Sequence, residues 1–360
     1  MTALLAEKYR PYTFADVVGQ QQAVATLAGR VTSPRGTFLL SGPYGSGKTT
    51  LARIFARVIN CRDVKTCTRE NPCVSCEAFD GITKGGQHPN IVEVNGADTK
   101  GIDDVRNLIQ MSKYSPTGGG YRVFIIDEIH QLTTQAQDAL LKGFEEPTKS
   151  TVWMMATNYP EKIKPALTSR AIKAPITLLT APEVRVLIDR VCAQEGIQIP
   201  QEVSASISEA CGGHPRDALN LVQSYASAAA SGVTVDIQQW VRRAEAGSPT
   251  FLAFKYIEGV FKKNAVLAMT IPAQVEYQQR FLEDVIDILQ GLVYQSLGAA
   301  DLVNTHRYGE KIRKVPLTTN DLPLLAKLLD MHTRGLIEMK SYAVADTVYV
   351  NALAARAFLA

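Results

Sequence analysis

The chain has 360 residues, which exceeds one ordinary domain and predicts two or three, each able to bury its own core. Apolar residues make up 46% and charged residues 20%, a globular composition that excludes long disordered tails. The formal charge of +3 neither indicates nor excludes a nucleic-acid partner, because a local basic surface decides that. The first ten residues lack the apolar core of a signal peptide, and no apolar run approaches the roughly 20 residues that cross a bilayer. We therefore expect a cytoplasmic protein without membrane contact.

The first half of the chain alternates short apolar runs with amphipathic stretches, which is the pattern of a parallel sheet covered by helices. Strands are predicted, in chain order, at Gly36–Ser41, Asn90–Val94, Tyr121–Asp127, Thr151–Thr157 and Ala171–Leu179. Helices are predicted at Lys48–Ile59, Ile102–Ser112, Thr133–Phe144 and Pro165–Arg170. The sequence thus predicts an α/β fold with a parallel sheet.

After Leu179 the strand signals stop and only helical patterns follow. The predicted helices are Ala181–Glu195, Gln201–Ala210, His214–Ala230 and Val235–Ala246, and Gly247-Ser248-Pro249 is interpreted as a linker. Two later segments carry apolar stripes at helical spacing, which predicts buried faces. The stripes are Phe281, Val285, Ile288, Leu289 and Leu292, then Leu324, Leu325, Leu328, Leu329, Leu336 and Ile337. We expect three domains, at residues 1–178, 179–245 and 246–360.

A phosphate loop occupies residues 42–49, which read Gly-Pro-Tyr-Gly-Ser-Gly-Lys-Thr. Its glycines (Gly42, Gly45 and Gly47) let backbone N–H groups turn inward around phosphate oxygens, and the helix that follows adds its positive end. Lys48 is expected to reach the β- and γ-phosphates of ATP, and Thr49 to bind Mg²⁺ through its hydroxyl. Ser46 and Thr50 complete the predicted phosphate-binding set.

Two acids end an apolar strand downstream of this loop. Residues 123–126 are Val-Phe-Ile-Ile, and Asp127 and Glu128 follow them. The end of a buried strand would hold Asp127 in place to bind Mg²⁺, while Glu128 polarises the attacking water. Acids at a strand end are also common as simple helix caps, but their position after a phosphate loop favours catalysis.

These motifs stand among others that resemble clamp-loader ATPases of the AAA+ class. The opening residues 7–11, Glu-Lys-Tyr-Arg-Pro, and 14–20, Phe-Ala-Asp-Val-Val-Gly-Gln, look like the start of that family. Further matches in order are Asp-Glu-Ile-His at 127–130, Leu-Leu-Lys at 140–142, Glu-Glu-Pro at 145–147, Ala-Thr-Asn at 156–158, Ser-Arg at 169–170 and Gly-Gly-His-Pro-Arg-Asp-Ala-Leu at 212–219. The resemblance covers residues 1 to about 230. It implies an AAA+ nucleotide-binding domain, a helical lid and an all-helical collar that holds subunits together.

The resemblance also implies roles for single residues. Asn158 would be the first sensor, and Arg216 the second sensor that contacts the γ-phosphate. Arg170 would be an arginine finger acting in a neighbouring subunit, where such a group can be worth about 10³–10⁵ in rate. The opening motif would line the nucleotide with Tyr9, Arg10, Pro11, Val17 and Val18. His130 follows the acidic pair as in the family, and either packing or catalysis would explain it.

A cysteine cluster follows the phosphate-loop helix, with the pattern Cys61-x₅-Cys67-x₅-Cys73-x₂-Cys76. Four thiolates are the ligand count of a closed tetrahedral Zn²⁺ site, so a zinc-binding insertion at about residues 61–76 is predicted. The cluster resembles that of the tau/gamma subunits of bacterial DNA polymerase III. Its spacing departs from theirs, because the last expected cysteine is absent and Cys67 is extra. Buried thiols without metal are the alternative.

Contact with DNA is expected at residues 98–106, which resemble the helix start that follows DNA phosphates in clamp loaders. Lys100 and Arg106, with a helix N-terminus, could hold the phosphate backbone without reading bases. Acids at Asp98, Asp103 and Asp104 dilute the positive field, so a solvated face of mixed charge is the alternative.

The resemblance implies an ATP-hydrolysing subunit of a ring-like complex that opens a sliding clamp and loads it on primer-template DNA. A non-hydrolysing scaffold subunit would keep this fold, but intact Lys48, Thr49, Asp127 and Glu128 argue against that reading. A small subunit of replication factor C shares most motifs but not the cysteines. A branch-migration ATPase that works without a clamp is a further alternative, but the long helical collar and the finger at Ser169-Arg170 favour clamp loading. Since the sequence ends soon after the collar, we expect no segment for tethering a polymerase.

Overall fold

The computed structural model describes residues 4–61, 67, 76, 88–98, 101–145, 148–230, 249–275, 278–306, 308–341 and 346–359. The chain forms two compact units, residues 1–179 with 214–216, and residues 180–213 with 217–360. The predicted helix at Val235–Ala246 lies outside the described residues, as do Gly247 and Ser248 of the predicted linker. The predicted boundary between lid and collar therefore stays a prediction.

The first unit contains a five-stranded parallel sheet, as predicted. Its strands are β1 (Gly36–Ser41), β2 (Ile91–Asn95), β3 (Arg122–Asp127), β4 (Thr151–Thr157) and β5 (Ala171–Pro175). They lie in the order β2-β3-β4-β1-β5, so the chain crosses over between neighbouring strands. The fifth strand is shorter than the predicted Ala171–Leu179. Its partner β1 ends at Ser41, which pairs with Pro175, and the chain then turns into the phosphate loop.

Helices of the first unit lie between these strands. They are α1 (Leu5–Lys8), α2 (Gln21–Ala28), α3 (Lys48–Asn60), α4 (Ile102–Ser112), α5 (Thr134–Glu145) and α6 (Pro165–Arg170), with short 3₁₀ turns at Phe14–Asp16, Ile129–Gln131 and Pro160–Lys162. The sequence prediction missed α2. This helix begins after Gln20, which has a left-handed backbone with φ 56° and no side-chain cap, so the usual N-terminal signal is missing.

The sheet is buried on both faces, and alternate residues of one strand serve opposite faces. Phe38 and Leu40 of β1 pack in the layer that includes Phe55 of α3, while Leu39 packs in the layer with Phe124 and Trp153. Phe124 and Trp153 stack with ring centroids 4.4 Å apart. The two buried layers fix the strands rigidly, and the site residues lie where these strands end.

In the described part of the second unit all regular structure is helical. Its helices are α7 (Ala181–Glu195), α8 (Gln201–Ala210), α9 (Pro215–Ala230), α10 (Pro249–Phe261), α11 (Ala265–Gln274), α12 (Gln278–Ser296), α13 (Ala300–Thr305), α14 (Gly309–Ile312), α15 (Leu322–Ser341) and α16 (Asp346–Leu359). Pro249, assigned to the linker from sequence, is instead the first residue of α10. None of the described helices is both long and apolar enough to cross a membrane.

The two predicted apolar stripes have different outcomes. All five stripe residues of α12, from Phe281 to Leu292, are at most 2% exposed, which confirms the first stripe. The second stripe is partly wrong, because Ile337 of α15 is 58% exposed. That helix buries Leu325 and Leu328 as predicted, and it also buries His332 and Met339. A buried histidine thus occupies a position where the sequence analysis looked only for aliphatic residues.

Candidate nucleotide-binding site

The loop between β1 and α3 has a backbone that requires glycine. Gly45 and Gly47 have φ angles of 71° and 103°, a region that other residues rarely adopt. A Cβ on Gly42 would lie 2.1 Å from the carbonyl oxygen of Ile176. Ser46 is buried and its hydroxyl donates to the Pro43 carbonyl at 2.7 Å, which braces the turn. A glycine-rich loop of this kind, directly before the start of α3, suits an anion.

Lys48 is held inside this loop. It is 5% exposed, and its Nζ donates to the carbonyl oxygens of Gly42 at 3.0 Å and Pro43 at 2.7 Å. Burial lowers the pKa of Lys48, while the negative charges of Glu128 and Asp127 act in the opposite direction. A phosphate would give this ammonium group a charged partner in place of two neutral ones.

The sheet brings Thr49 next to Asp127. Thr49 follows β1 and Asp127 ends β3, and the Thr49 hydroxyl donates to Asp127 Oδ2 at 2.6 Å. The other carboxylate oxygen, Oδ1, accepts the backbone N–H of Glu128 at 2.9 Å. A hydroxyl and a carboxylate oxygen are hard ligands of the kind that Mg²⁺ prefers, so this pair fits the predicted magnesium site.

Glu128 lies beside this pair in a left-handed backbone conformation, with φ 49° and ψ 40°. Such strain in a residue with a side chain concentrates at functional sites. Burial and the neighbouring Asp127 raise the pKa of Glu128, and Lys48 and Asn158 act in the opposite direction. Asn158 follows β4, and its Nδ2 donates to the Glu128 carboxylate at 3.2 Å and 3.4 Å. The Asn158 Oδ1 is buried without a hydrogen-bond partner, which leaves an acceptor available to a bound water.

His130 contacts the same carboxylate. Its Nδ1 lies 3.2 Å from Glu128 Oε2 and 3.1 Å from Thr157 Oγ1, and its Nε2 lies 3.1 Å from the side-chain nitrogen of Gln131. Burial lowers the pKa of His130 to about 4, so the ring is neutral at pH 7. Because the side-chain nitrogen of Gln131 can only donate to Nε2, the hydrogen is on Nδ1, where it donates to Thr157 Oγ1. His130 thus packs as a neutral ring beside the carboxylate of Glu128.

Three arginines from distant parts of the sequence lie close together: Arg10, Arg53 and Arg216. The pKa of Arg10 is lowered by its burial and by the positive charges of Arg53 and Arg216, with Glu93 opposing. Arg53 forms a two-pronged ion pair with Glu93 at 2.8 Å and 2.6 Å. Arg216, the predicted second sensor, is exposed in the first turn of α9. The family resemblance places Arg10 and Arg216 at the nucleotide, where their positive charge would attract the phosphates.

The remaining residues of the opening motif are half-buried. They are Tyr9, Pro11, Val17 and Val18. Val17 packs against the layer of the core that contains β1 and α3. Gln20 exchanges hydrogen bonds with the backbone of Thr177, which ties the motif to the chain just after β5. Thr50 is half-buried in the first turn of α3. Contact with adenine stays a prediction for this set.

Arg170 lies away from the phosphate loop. It ends α6 and directly precedes β5, while the loop follows the opposite end of the paired strand β1. Its guanidinium binds Glu145 Oε1 at 3.0 Å and the Ala166 carbonyl at 3.0 Å, and its side chain is 44% exposed. Residues 146–147 of the predicted Glu-Glu-Pro motif lie outside the described residues.

Three of the four predicted zinc ligands come together. The Sγ atoms of Cys61, Cys67 and Cys76 all lie within 4.8 Å of one another. Thiolates on one tetrahedral Zn²⁺ at about 2.3 Å would stand at comparable separations. The fourth predicted ligand, Cys73, lies outside the described residues. The other two cysteines, Cys192 and Cys211, are buried in the second unit.

The predicted DNA contacts are only partly described. Lys100 lies outside the described residues. Arg106 is 64% exposed on α4 and binds Asp103 of the same helix at 3.0 Å. The positive charge of Arg106 is thus partly neutralised by Asp103, one turn away on the same helix.

Sequence comparisons agree with the predicted family resemblance. Residues 19–179 match the family model described as DNA polymerase III, delta subunit. The gamma/tau subunit of DNA polymerase III from Mycobacterium tuberculosis is 40% identical over 237 residues, 64% of this chain and 40% of the relative. The tau subunit from Escherichia coli is 33% identical over 220 residues, 61% of this chain and 34% of the relative. The chain thus spans about two fifths or less of the length of these relatives.

Solved structures with a similar fold include the Thermotoga maritima RuvB Holliday junction branch migration motor. It has a TM-score of 0.53 and 20% identity, and the match covers 73% of this chain and 85% of that one. At this identity the likeness shows the fold alone.

His214, which the sequence analysis placed in the second-sensor motif without a role, contacts the phosphate loop in this structure.

Proposed function

Since a 237-residue stretch of this chain is related to the gamma/tau subunits of bacterial DNA polymerase III and its first unit has the AAA+ phosphate-loop fold, we propose that the protein is an ATP-hydrolysing subunit of a sliding-clamp loader. Its substrate in this proposal is ATP bound with Mg²⁺. Its other partners are neighbouring loader subunits, the clamp and primer-template DNA, all in the cytoplasm.

The observation that carries this proposal is the hydrogen bond of 2.6 Å between Thr49 and Asp127. It joins the helix after the phosphate loop to the end of β3, and so brings a phosphate site and a metal-binding acid together. Glu128 follows at once, with its carboxylate held by Asn158. Anion cradle, metal ligands and base candidate are thereby assembled in one place, which suits phosphoryl transfer to water.

The chain's own residues would divide the work. The glycines of the loop and Lys48 bind the phosphates, and Thr49 and Asp127 hold the Mg²⁺, which neutralises charge on the transferred group. Glu128 accepts a proton from the attacking water, since its raised pKa makes it a better base than an exposed glutamate. Asn158 holds that carboxylate and offers its buried Oδ1 as an acceptor.

Hydrolysis would need a neighbouring subunit. Arg170 is separated from its own phosphate loop by the length of β5, about 13 Å at the usual rise per residue. It is half-exposed, so it can reach a neighbour. In the proposed ring the helices of the collar hold the subunits side by side. Each Arg170 then serves the nucleotide of the adjacent chain.

Zinc belongs to the proposal as a structural metal. The three clustered cysteines follow α3 directly, and Cys73 is the proposed fourth ligand. Soft sulfur ligands in a closed set select zinc and leave no open position for catalysis. The metal would order this insertion rather than take part in hydrolysis.

The other functions considered have less support. A non-hydrolysing scaffold has no need for Glu128 in a strained backbone beside Asn158. The cysteine cluster argues against a small subunit of replication factor C, which shares most of the other motifs. For branch migration, the similarity to RuvB rests on 20% identity and so on the fold alone.

The proposal is tested by nucleotide titration and turnover in three variants. Lys48→Ala should abolish ATP binding, because the phosphates lose their buried counter-charge. Glu128→Gln should bind ATP like the wild type and hydrolyse it slowly. Lys149→Ala is the matched control, since Lys149 is exposed in the turn before β4. Equal ATP affinity in wild type and Lys48→Ala would contradict the proposal.

A further inference from the structure

A histidine from the second-sensor segment reaches the phosphate loop. His214 is 4% exposed, and its Nδ1 lies 2.8 Å from the carbonyl oxygen of Tyr44. The same nitrogen would lie 3.5 Å from a Cβ on Gly45. His214 therefore packs against the peptide that joins Tyr44 to Gly45, in the middle of the loop.

The turn before His214 reverses the direction of the chain. Gly212 and Gly213 have φ angles of 58° and 79°, so two successive left-handed residues reverse the chain between α8 and α9. Residues 214–216 pack with the first unit, although the chain on both sides of them belongs to the second unit. Within the second-sensor motif, these three residues are thus the ones that pack as part of the first unit.

The direction of the hydrogen bond follows from the chemistry of the two groups. A carbonyl oxygen can only accept, so Nδ1 of His214 carries the hydrogen. The peptide bond between Tyr44 and Gly45 is trans, and in a trans peptide C=O and N–H point in opposite directions. When the Tyr44 carbonyl is held by His214, the Gly45 N–H must face away from His214. Gly45 itself has φ 71°, so its peptide could otherwise rotate at low cost.

We infer that His214 is a positioning residue that orients the Gly45 N–H for binding of the nucleotide phosphates. This inference rests on the proposed ATP site. Backbone N–H groups of a phosphate loop cradle the α- and β-phosphates, which ATP and ADP share. The contribution of His214 is thus to the affinity for both nucleotides. In contrast, the proposed role of Arg216, two residues later, concerns the γ-phosphate and so ATP alone.

The test compares three variants of His214 in the full chain by titration with MgADP and MgATP. His214→Ala should weaken the binding of both nucleotides by a similar factor, about three- to tenfold, as for a lost hydrogen bond between neutral groups. His214→Asn should restore affinity, because the Asn amide nitrogen occupies about the place of Nδ1. His214→Gln, which places its amide near Nε2, should behave like the alanine variant.

Two further variants separate this inference from the proposed function. Arg216→Ala should weaken ATP binding and leave ADP binding unchanged, while Lys48→Ala should lose both. Wild-type affinity for both nucleotides in His214→Ala would overturn the inference and leave the ATP site in place. Equal affinities of the Asn and Gln variants would also overturn it. Failure of the wild-type chain to bind either nucleotide would overturn both the inference and the proposed function.

Discussion

Replacing Arg170 by alanine should abolish hydrolysis by the assembled complex and leave ATP binding by the single chain intact. Arg170 precedes β5, and its own phosphate loop follows the other end of the paired strand, about 13 Å further along. In the proposed ring, the nucleotide that Arg170 serves therefore belongs to another subunit. An arginine finger supplied in this way is worth about 10³–10⁵ in rate.

The stability of the chain should change little. The ion pair between Arg170 and Glu145 is 3.0 Å long, but the side chains are 44% and 53% exposed. Pairs of this kind contribute about 0.2–1 kcal/mol. Glu145→Gln, which releases the finger from its own subunit, should accordingly change the rate of hydrolysis by no more than about fivefold. A loss of 10³ in Arg170→Ala thus cannot be attributed to the lost ion pair.

The assay is steady-state ATP hydrolysis by the reconstituted complex with clamp and primed DNA, beside ATP titration of the isolated chain. Arg35→Ala is the matched control, because Arg35 is an exposed arginine just before β1, and its Nε donates to the backbone carbonyl oxygen of Lys149 at 3.1 Å. Mixed complexes of Arg170→Ala with Glu128→Gln chains should regain some activity wherever a wild-type finger faces a wild-type Glu128. An Arg170→Ala complex within about threefold of the wild-type rate would refute the reasoning.

Four further outcomes are expected. Elemental analysis of protein purified without chelator should find about one zinc per chain, and Cys76→Ser should lower that content. Glu128→Gln should melt at a higher temperature than the wild type at neutral pH, because the raised pKa of Glu128 disfavours its ionised form in the folded state; the difference should vanish below the ordinary glutamate pKa. Tyr256→Phe should cost about 1–2 kcal/mol in urea unfolding, since it leaves the buried His332 without its 2.9 Å partner. Arg106→Ala should weaken binding of primed DNA uniformly across sequences and lower its salt dependence by about one counterion.

The collar should also lose stability in acid. Burial lowers the pKa of His332 from its ordinary 6.5 to about 4, so the folded state binds fewer protons than the unfolded state between these values. Stability is therefore complete above pH 6.5 and is lost as the pH falls towards 4, by about 3 kcal/mol. Unfolding in urea at a series of pH values measures this. An equal acid dependence in His332→Leu would contradict it.

Local patterns predicted the parts of the fold that depend on one segment at a time. β1, β4 and the helix after residue 101 have the predicted bounds, because each shows a clear apolar period and a clear end. The end of β5 was predicted too late, since it depends on where the neighbouring strand stops. The helix at Gln21–Ala28 was missed because it lacks a side-chain cap.

In the candidate site, too, local motifs predicted some contacts, while others depend on residues far apart in the sequence. The motifs predict that Thr49 and Asp127 bind the same Mg²⁺. The parallel sheet explains why they meet, because β1 and β3 end on the same side of it. His214 could not be predicted, because its contact with Tyr44 joins positions 170 residues apart through the turn at Gly212 and Gly213. A histidine after two glycines at a helix start was the available signal. It carries no information on what the ring will touch.

The central claim is that ATP hydrolysis by this chain is coupled to clamp and DNA. The most direct measurement is the ATPase rate of the reconstituted complex alone, with clamp, with primed DNA, and with both. We expect a low rate alone, the largest rate with both, and loss of that rate in Glu128→Gln. An isolated monomer that hydrolyses ATP at full rate, without response to clamp, DNA or Arg170, would contradict the claim.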